Sequence, residues 1–352
     1  MIGPALSVVG GMTSLNRMIL EEEIEGVSIK FVASMDKRSL FGRLNRWVWN
    51  LISAPIFRFF DKPDIVHIHV SSGLSIWRKT SIGNFWIALG VPVIYHTHGS
   101  KARDFIEGSS RLVKFIIRRR FRKATRIVTL SEGWRNWYSE NLSIDIDAIT
   151  ILPTPIHIEK KSNNDGKESK DVLYSGLMGK RKGTFDLIEA WSRIQSEGVT
   201  GCNLHLIGDG MVKECKNLVR NLNLEDTCIV HGWVSEEKKK ELLGTCGIYS
   251  LPSHNEGLPM GLLEAMAHGL APVSTTVGGI PEVISDRENG FLTEPGDIEE
   301  LSRILKELIV NDDLREQIAS KARNTAEEHD WEKYCPKLLH LWKEVTGGKT
   351  AS

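Results

Sequence analysis

This chain predicts two doubly wound α/β domains, on three observations. Short apolar runs of strand type alternate with longer helical patterns. That rhythm occurs twice, on either side of a polar stretch at 159–170. Glycine turns stand where strands end and helices begin. Alternation of strand and helix builds a parallel sheet with both faces covered. With 352 residues the chain is long enough for two such domains.

Taken in order, Gly10-Gly11-Met12-Thr13 forms a tight turn that opens a helix. Only nine residues precede it, and Gly3-Pro4 breaks them. The first sheet is therefore expected to lack its full opening strand, with the natural start upstream of Met1. Residues 65–70, 91–97 and 126–130 read as buried strands, and Ser131 as the N-cap of the next helix. The polar linker has no apolar residue between 159 and 170. Beyond it, strands are expected at 172–176, 204–208, 229–232, 247–251 and 271–275, with a helix at 184–196 and a last one from about 331 to 345. The expected division is a first domain at 1–152, a second at 171–330 and a terminal helical segment at 331–352.

Composition is that of a water-soluble globular protein, with 41% apolar and 26% charged residues. Charge is unevenly placed. Residues 1–155 hold 21 Lys+Arg against 13 Asp+Glu, a balance of +8, and the remainder balances at −8. A basic front half suggests an anionic surface or substrate. The five cysteines include no C-x-x-C pair, which favours free thiols in a reducing cytoplasm over disulfides or a metal site. No run of 18 apolar residues could cross a bilayer as a helix.

The most informative segment is Pro252-Ser253-His254-Asn255-Glu256-Gly257-Leu258-Pro259-Met260-Gly261-Leu262-Leu263-Glu264. It reads as a loop feeding a helix that starts near Pro259 and stops at Gly269. The helix start offers unbonded N–H groups and a positive dipole end, a site for phosphate. Eight residues of helix span about 12 Å and leave two side chains about 80° apart. Glu256 and Glu264 are thus poorly placed as an acid/base couple, which needs under about 10 Å. They read better as two contacts to separate parts of one long ligand.

The run continues through His268-Gly269-Leu270-Ala271-Pro272 and Val277-Gly278-Gly279-Ile280-Pro281-Glu282 to Asn289-Gly290-Phe291-Leu292. As a whole it resembles family 4 of the nucleotide-sugar glycosyltransferases, with their E-x7-E motif on a GT-B fold. The match is dense over 171–330 and looser from about 3 to 150. The resemblance implies two Rossmann-like domains facing across a cleft, with the terminal helix crossing back to the first. It implies a retaining transfer from a nucleotide-diphosphate sugar, with no metal and no other cofactor. Glu264 would hold the ribose and Glu256 the sugar hydroxyls. Gly257, Leu258, Pro259, Met260 and Gly261 would supply backbone to the phosphates, and Gly232 and Val234 backbone to the base. Gly10 and Gly11 would touch phosphate or acceptor. His98, in the pattern His96-x-His98-Gly99, would contact the donor sugar near the reacting carbon. Leu177 stands where the family carries Arg, so the cationic role falls on Lys182 and Arg181.

The basic run 111–123 holds seven cations and no acid, with apolar residues between them and aromatics at 47–60 nearby. It suits either peripheral contact with an anionic membrane at the inner face of the plasma membrane or a buried helix with a solvated cationic edge, and no nucleic-acid module is recognisable. With the family's habit, this points to a lipid-linked saccharide acceptor in capsule, lipopolysaccharide or exopolysaccharide assembly. Two other classes stay open. One is a nucleotide-sugar 2-epimerase of the same fold. The other is a catalytically silent family member acting as a binding partner.

Overall fold

The structure, a computed structural model, describes residues 1–8, 10–35, 40–98, 101–158 and 169–347. Ten residues of the expected linker, 159–168, and Gly99 lie outside these. The chain divides into two compact units, one of residues 1–154 with 332–352, the other of 155–331.

The first unit holds a parallel sheet of six strands: β1 (Ile2–Pro4), β2 (Val32–Met35), β3 (Val66–Val70), β4 (Val93–Thr97), β5 (Arg126–Thr129) and β6 (Ile149–Ile151), in the order β2-β1-β3-β4-β5-β6. The opening strand, expected to be incomplete, is three residues long. Ile2, Gly3 and Pro4 pair with β2, and Ile2 pairs with Ile68 of β3. Pro4 is tolerated because the ladder to β3 involves only Ile2, so no bond there needs its absent N–H. Gly3 lets the strand lie close to α1 (Gly11–Glu21): a Cβ there would lie 2.3 Å from Asn16 Nδ2 and displace that side chain. Val66 to Val70 pair in register with Val93 to Thr97, and both strands are buried throughout.

Around this sheet run α2 (Leu40–Phe60), α3 (Leu74–Ala88), α4 (Ala102–Glu107), α5 (Arg111–Phe121) and α6 (Glu132–Leu142). Ser131 caps α6 as expected, its side chain accepting from the Trp134 amide.

The second unit carries β7 (Val172–Ser175), β8 (Leu204–Ile207), β9 (Cys228–Gly232), β10 (Ile248–Leu251), β11 (Ala271–Thr275) and β12 (Phe291–Thr293), in the order β12-β11-β10-β7-β8-β9. Its helices are α7 (Thr184–Ser196), α8 (Val212–Asn221), α9 (Glu236–Thr245), α10 (Met260–Ala267), α11 (Ile298–Val310) and α12 (Asp312–Ala326). The last helix, α13 (Trp331–Thr346), packs onto the first unit. Leu338, Leu341 and Trp342 are buried there, and Trp342 Nε1 donates to His67 Nδ1 at 3.0 Å.

Candidate active site

Strand β10 ends at Leu251 and hands the chain to a buried loop. Ligand sites in doubly wound sheets lie at such carboxyl ends. Thr275 Oγ1 donates to Ser253 O at 2.6 Å, and the Gly279 amide donates to Gly257 O at 2.6 Å. Helix α10 starts one residue later than expected: Pro259 is extended and Met260 is the first helical residue. Glu256 is only 7% exposed. Its Oε1 accepts from Ser253 Oγ at 2.8 Å and lies 2.5 Å from Lys182 Nζ. Arg181 Nη1 is 3.7 Å away and donates to Asn255 O at 3.0 Å. A buried carboxylate needs such partners.

One glycine makes this approach possible. Gly183 follows the basic turn with φ +66, and a Cβ there would lie 1.8 Å from Pro252 O. The turn bearing Arg181 and Lys182 therefore lies directly against the Glu256 loop. Leu177, in place of the family's Arg, is 56% exposed, and the cations facing Glu256 come from 181 and 182.

Glu264 lies on the second turn of α10, half-buried, with Oε2 2.7 Å from Lys239 Nζ of α9. Gly257, Leu258 and Pro259 are buried and Gly261 half-buried, so backbone rather than bulky side chain lines the helix opening. Gly232 ends β9 at φ +78, its carbonyl accepting from the Gly208 amide at 2.8 Å. Val234 is half-buried just beyond it, beside the exposed Trp233. The second unit thus gathers Arg181, Lys182, Glu256, the 257–261 backbone and Glu264 around one strand end. The sequence reading missed Ser253 and Lys239. Ser253 stands three residues before Glu256, and Lys239 pairs across tertiary structure with no local signal.

In the first unit His98 follows β4, its amide donating to Val70 O at 2.8 Å. Four histidines share one face of β3 and β4. Nδ1 of His69 meets Nε2 of His98 at 2.8 Å, and Nε2 of His67 meets Nδ1 of His96 at 3.2 Å. Burial, with neighbouring cationic charge, holds His67, His69 and His98 well below the usual imidazole range, and burial alone lowers His96 to about 3. Lys79, buried beneath them, donates to the His69 carbonyl, and burial lowers its ammonium to about 7. Its Nζ is 3.9 Å from Met12 Sδ, tying the Gly10-Gly11 turn to this face. Ligand atoms of His67, His69 and His96 come within 4.8 Å of one another, close enough to consider a metal ion. Their rings stack, however, with centroids 4.9 and 5.1 Å apart, and their nitrogens meet in pairs rather than at one point.

Away from these strand ends, α2 exposes a continuous apolar stripe. Leu44, Val48, Trp49, Ile52, Ile56, Phe59 and Phe60 are open to solvent, while Trp47, Leu51 and Phe57 pack on the core. Helix α3 packs against both α2 and α5. On α5, Leu112 and Phe115 are exposed, with Arg118, Arg119, Arg122 and Lys123 exposed at its end. Among the described residues no helix is long and apolar enough to cross a membrane.

Two family models cover most of the chain. One, glycosyl transferases group 1, matches residues 156–325, and the other, glycosyltransferase family 4, matches residues 15–160. The chain belongs to glycosyltransferase family 4. An uncharacterized glycosyltransferase of Haemophilus influenzae is 31% identical over 62% of this family 4 chain and 60% of its own length. The amylovoran biosynthesis glycosyltransferase AmsK of Erwinia amylovora is 31% identical over 49% of this chain and 46% of its own. Anabaena HepE, solved in complex with UDP, superposes with a TM-score of 0.70 at 17% identity, over 90% of this chain and 86% of its own. At that identity the likeness concerns the fold, the GT-B arrangement of two doubly wound sheets expected of family 4.

Proposed function

We propose that this protein is a retaining glycosyltransferase. It moves a hexosyl group from a nucleotide-diphosphate sugar to a hydroxyl of a lipid-linked saccharide in cell-surface polysaccharide assembly. The observation that carries this reading is the buried Glu256, held by Lys182 and Ser253 beside the opening of α10. A carboxylate so fixed presents acceptor oxygens to sugar hydroxyls. Glu264, further along the helix, takes the ribose. Gly232 and Val234 present backbone to the base. His98 and the Gly10-Gly11 turn belong to the face that meets the donor sugar and the acceptor. The polysaccharide setting is supported by AmsK, named for amylovoran biosynthesis, and the nucleotide by the UDP bound to HepE.

In the transfer the bond between the anomeric carbon and the diphosphate oxygen breaks, and its electron pair goes to the phosphate. Lys182, Arg181 and the N–H groups of Met260 and Gly261 stabilise the developing charge, and we assign no metal to this role. The acceptor oxygen bonds to the same face of the anomeric carbon, and its proton passes to the leaving phosphate oxygen. We place the protein peripherally at the inner membrane face, through the α2 stripe and the cations of α5.

A thermal-shift panel of nucleotide sugars identifies the donor. Radiolabel from it is expected in lipid-extractable product, with the anomeric configuration kept, and Glu256→Gln abolishes the transfer. No product with any donor, or unchanged transfer in Glu256→Gln, refutes the assignment.

A further inference from the structure

Glu264 does not stand alone. Its Oε2 lies 2.7 Å from Nζ of Lys239, and the two side chains are 26% and 22% exposed. Lys239 has a second acid within reach, Glu236 of its own helix, but at 3.9 Å, so its closer partner is Glu264. The pair joins two helices. Helix α9 follows the Gly232–Val234 turn, and α10 carries both Glu264 and the amides of Met260 and Gly261 at its amino end. One ammonium on one oxygen anchors the carboxylate and restricts its rotation. It leaves Oε1, and a second lone pair on Oε2, to accept from two hydroxyls. Two hydroxyls on neighbouring carbons are what a ribose offers and a 2′-deoxyribose does not. A bare carboxylate would also repel a diphosphate, and the ammonium offsets that charge.

We propose that Lys239 is a positioning residue for ribonucleoside diphosphates, orienting Glu264 so that it grips the ribose diol. The proposal rests on the reading of Glu264 as the ribose contact. Calorimetric titration of the full chain with UDP, ADP and GDP, each beside its 2′-deoxy counterpart, tests it. The wild type is expected to prefer the ribonucleotide of its best pair by about tenfold or more, the yield of a hydrogen bond to a charged group. Glu264→Gln is expected to lose that preference. Lys239→Met is expected to lose most of it by weakening the ribonucleotide selectively, and Lys239→Arg to restore it. All three variants should keep the wild-type Tm within a few degrees, since both side chains meet solvent. Absence of binding to every ribonucleotide, or a preference surviving Glu264→Gln, refutes the ribose reading itself. A preference lost in Glu264→Gln but kept in Lys239→Met overturns the role of Lys239 alone. Equal weakening of both nucleotides in Lys239→Met also overturns it, because charge neutralisation without orientation would act on both.

Discussion

Acidification should destabilise the first unit through its histidine ladder, and His96 sets the size of the effect. Its ring is buried and titrates at about 3 in the folded protein, against 6.5 for a free imidazole. Between those values the unfolded chain holds a proton that the folded chain does not. The unfolded state thus takes up more protons, and stability falls as pH falls below 6.5. The loss is about 1.4 kcal/mol per pH unit, or about 2 kcal/mol for His96 alone at pH 5. His67, His69 and His98 act with the same sign, because burial lowers each of them. Lys79 adds little in this window, since as pH falls below its lowered value of about 7 it becomes charged in both states. The test compares urea unfolding at pH 7 and pH 5 for the wild type and His96→Asn. Asn offers Oδ1 where His96 Nδ1 meets His67 Nε2, and it does not titrate. The variant should lose about 2 kcal/mol less than the wild type over this range. Equal pH slopes in the two proteins would refute the claim that His96 is held neutral by burial.

Removing either member of the Glu256–Lys182 pair should have opposite effects on nucleotide binding. Glu256→Gln frees Lys182 for phosphate, so UDP affinity by calorimetry is expected to hold or rise while transfer is lost, and Lys182→Met is expected to weaken UDP by roughly tenfold or more. On the membrane side, Phe59→Glu with Phe60→Glu should cut co-sedimentation with phosphatidylglycerol vesicles by roughly tenfold or more at unchanged Tm, since the rings are 73% and 75% exposed; full retention on the vesicles would exclude α2 as the contact.

Many of the strands were legible because buried parallel strands read as short apolar runs between glycine turns. Val66–Val70, Val93–Thr97 and Ile248–Leu251 are all of this kind. The opening strand was not, since Gly3-Pro4 carries a breaker signal that only the pairing of β1 explains. His67 and His69 could be placed on one face by their period of two, but the register that sets His69 beside His96 is a tertiary fact. The same holds for the site. Glu256 and Glu264 stood out by spacing and by the helix start between them. Their partners Ser253 and Lys239 carried no signal, because an ion pair between α9 and α10 depends on how two helices pack. The exposed face of α2 was obscured for a different reason. Its aromatics at 47–60 divide between core and solvent, and only burial separates Trp47 and Phe57 from Trp49, Phe59 and Phe60.

Under the proposed function the two carboxylates share one electrostatic problem, and each has an ammonium beside it. A nucleotide-diphosphate sugar is an anion, and two bare acids would repel it. Each acid instead arrives with an ammonium: Lys182 on Glu256 and Lys239 on Glu264, at 2.5 and 2.7 Å. Arg181 is the excess cation, 3.7 Å from Glu256 and anchored on the Asn255 carbonyl. Around Glu256 two cations thus stand against one carboxylate, and in the proposed transfer this surplus is what meets the leaving phosphate. This distribution supports the proposal that the acids hold hydroxyls and the cations hold charge. It also accounts for the eight-residue spacing. A catalytic couple would have to converge on one bond, whereas two neutralised grips can stand on either side of the helix start, Glu256 in the loop before it and Glu264 on its second turn, and leave the amino end of α10 open between them.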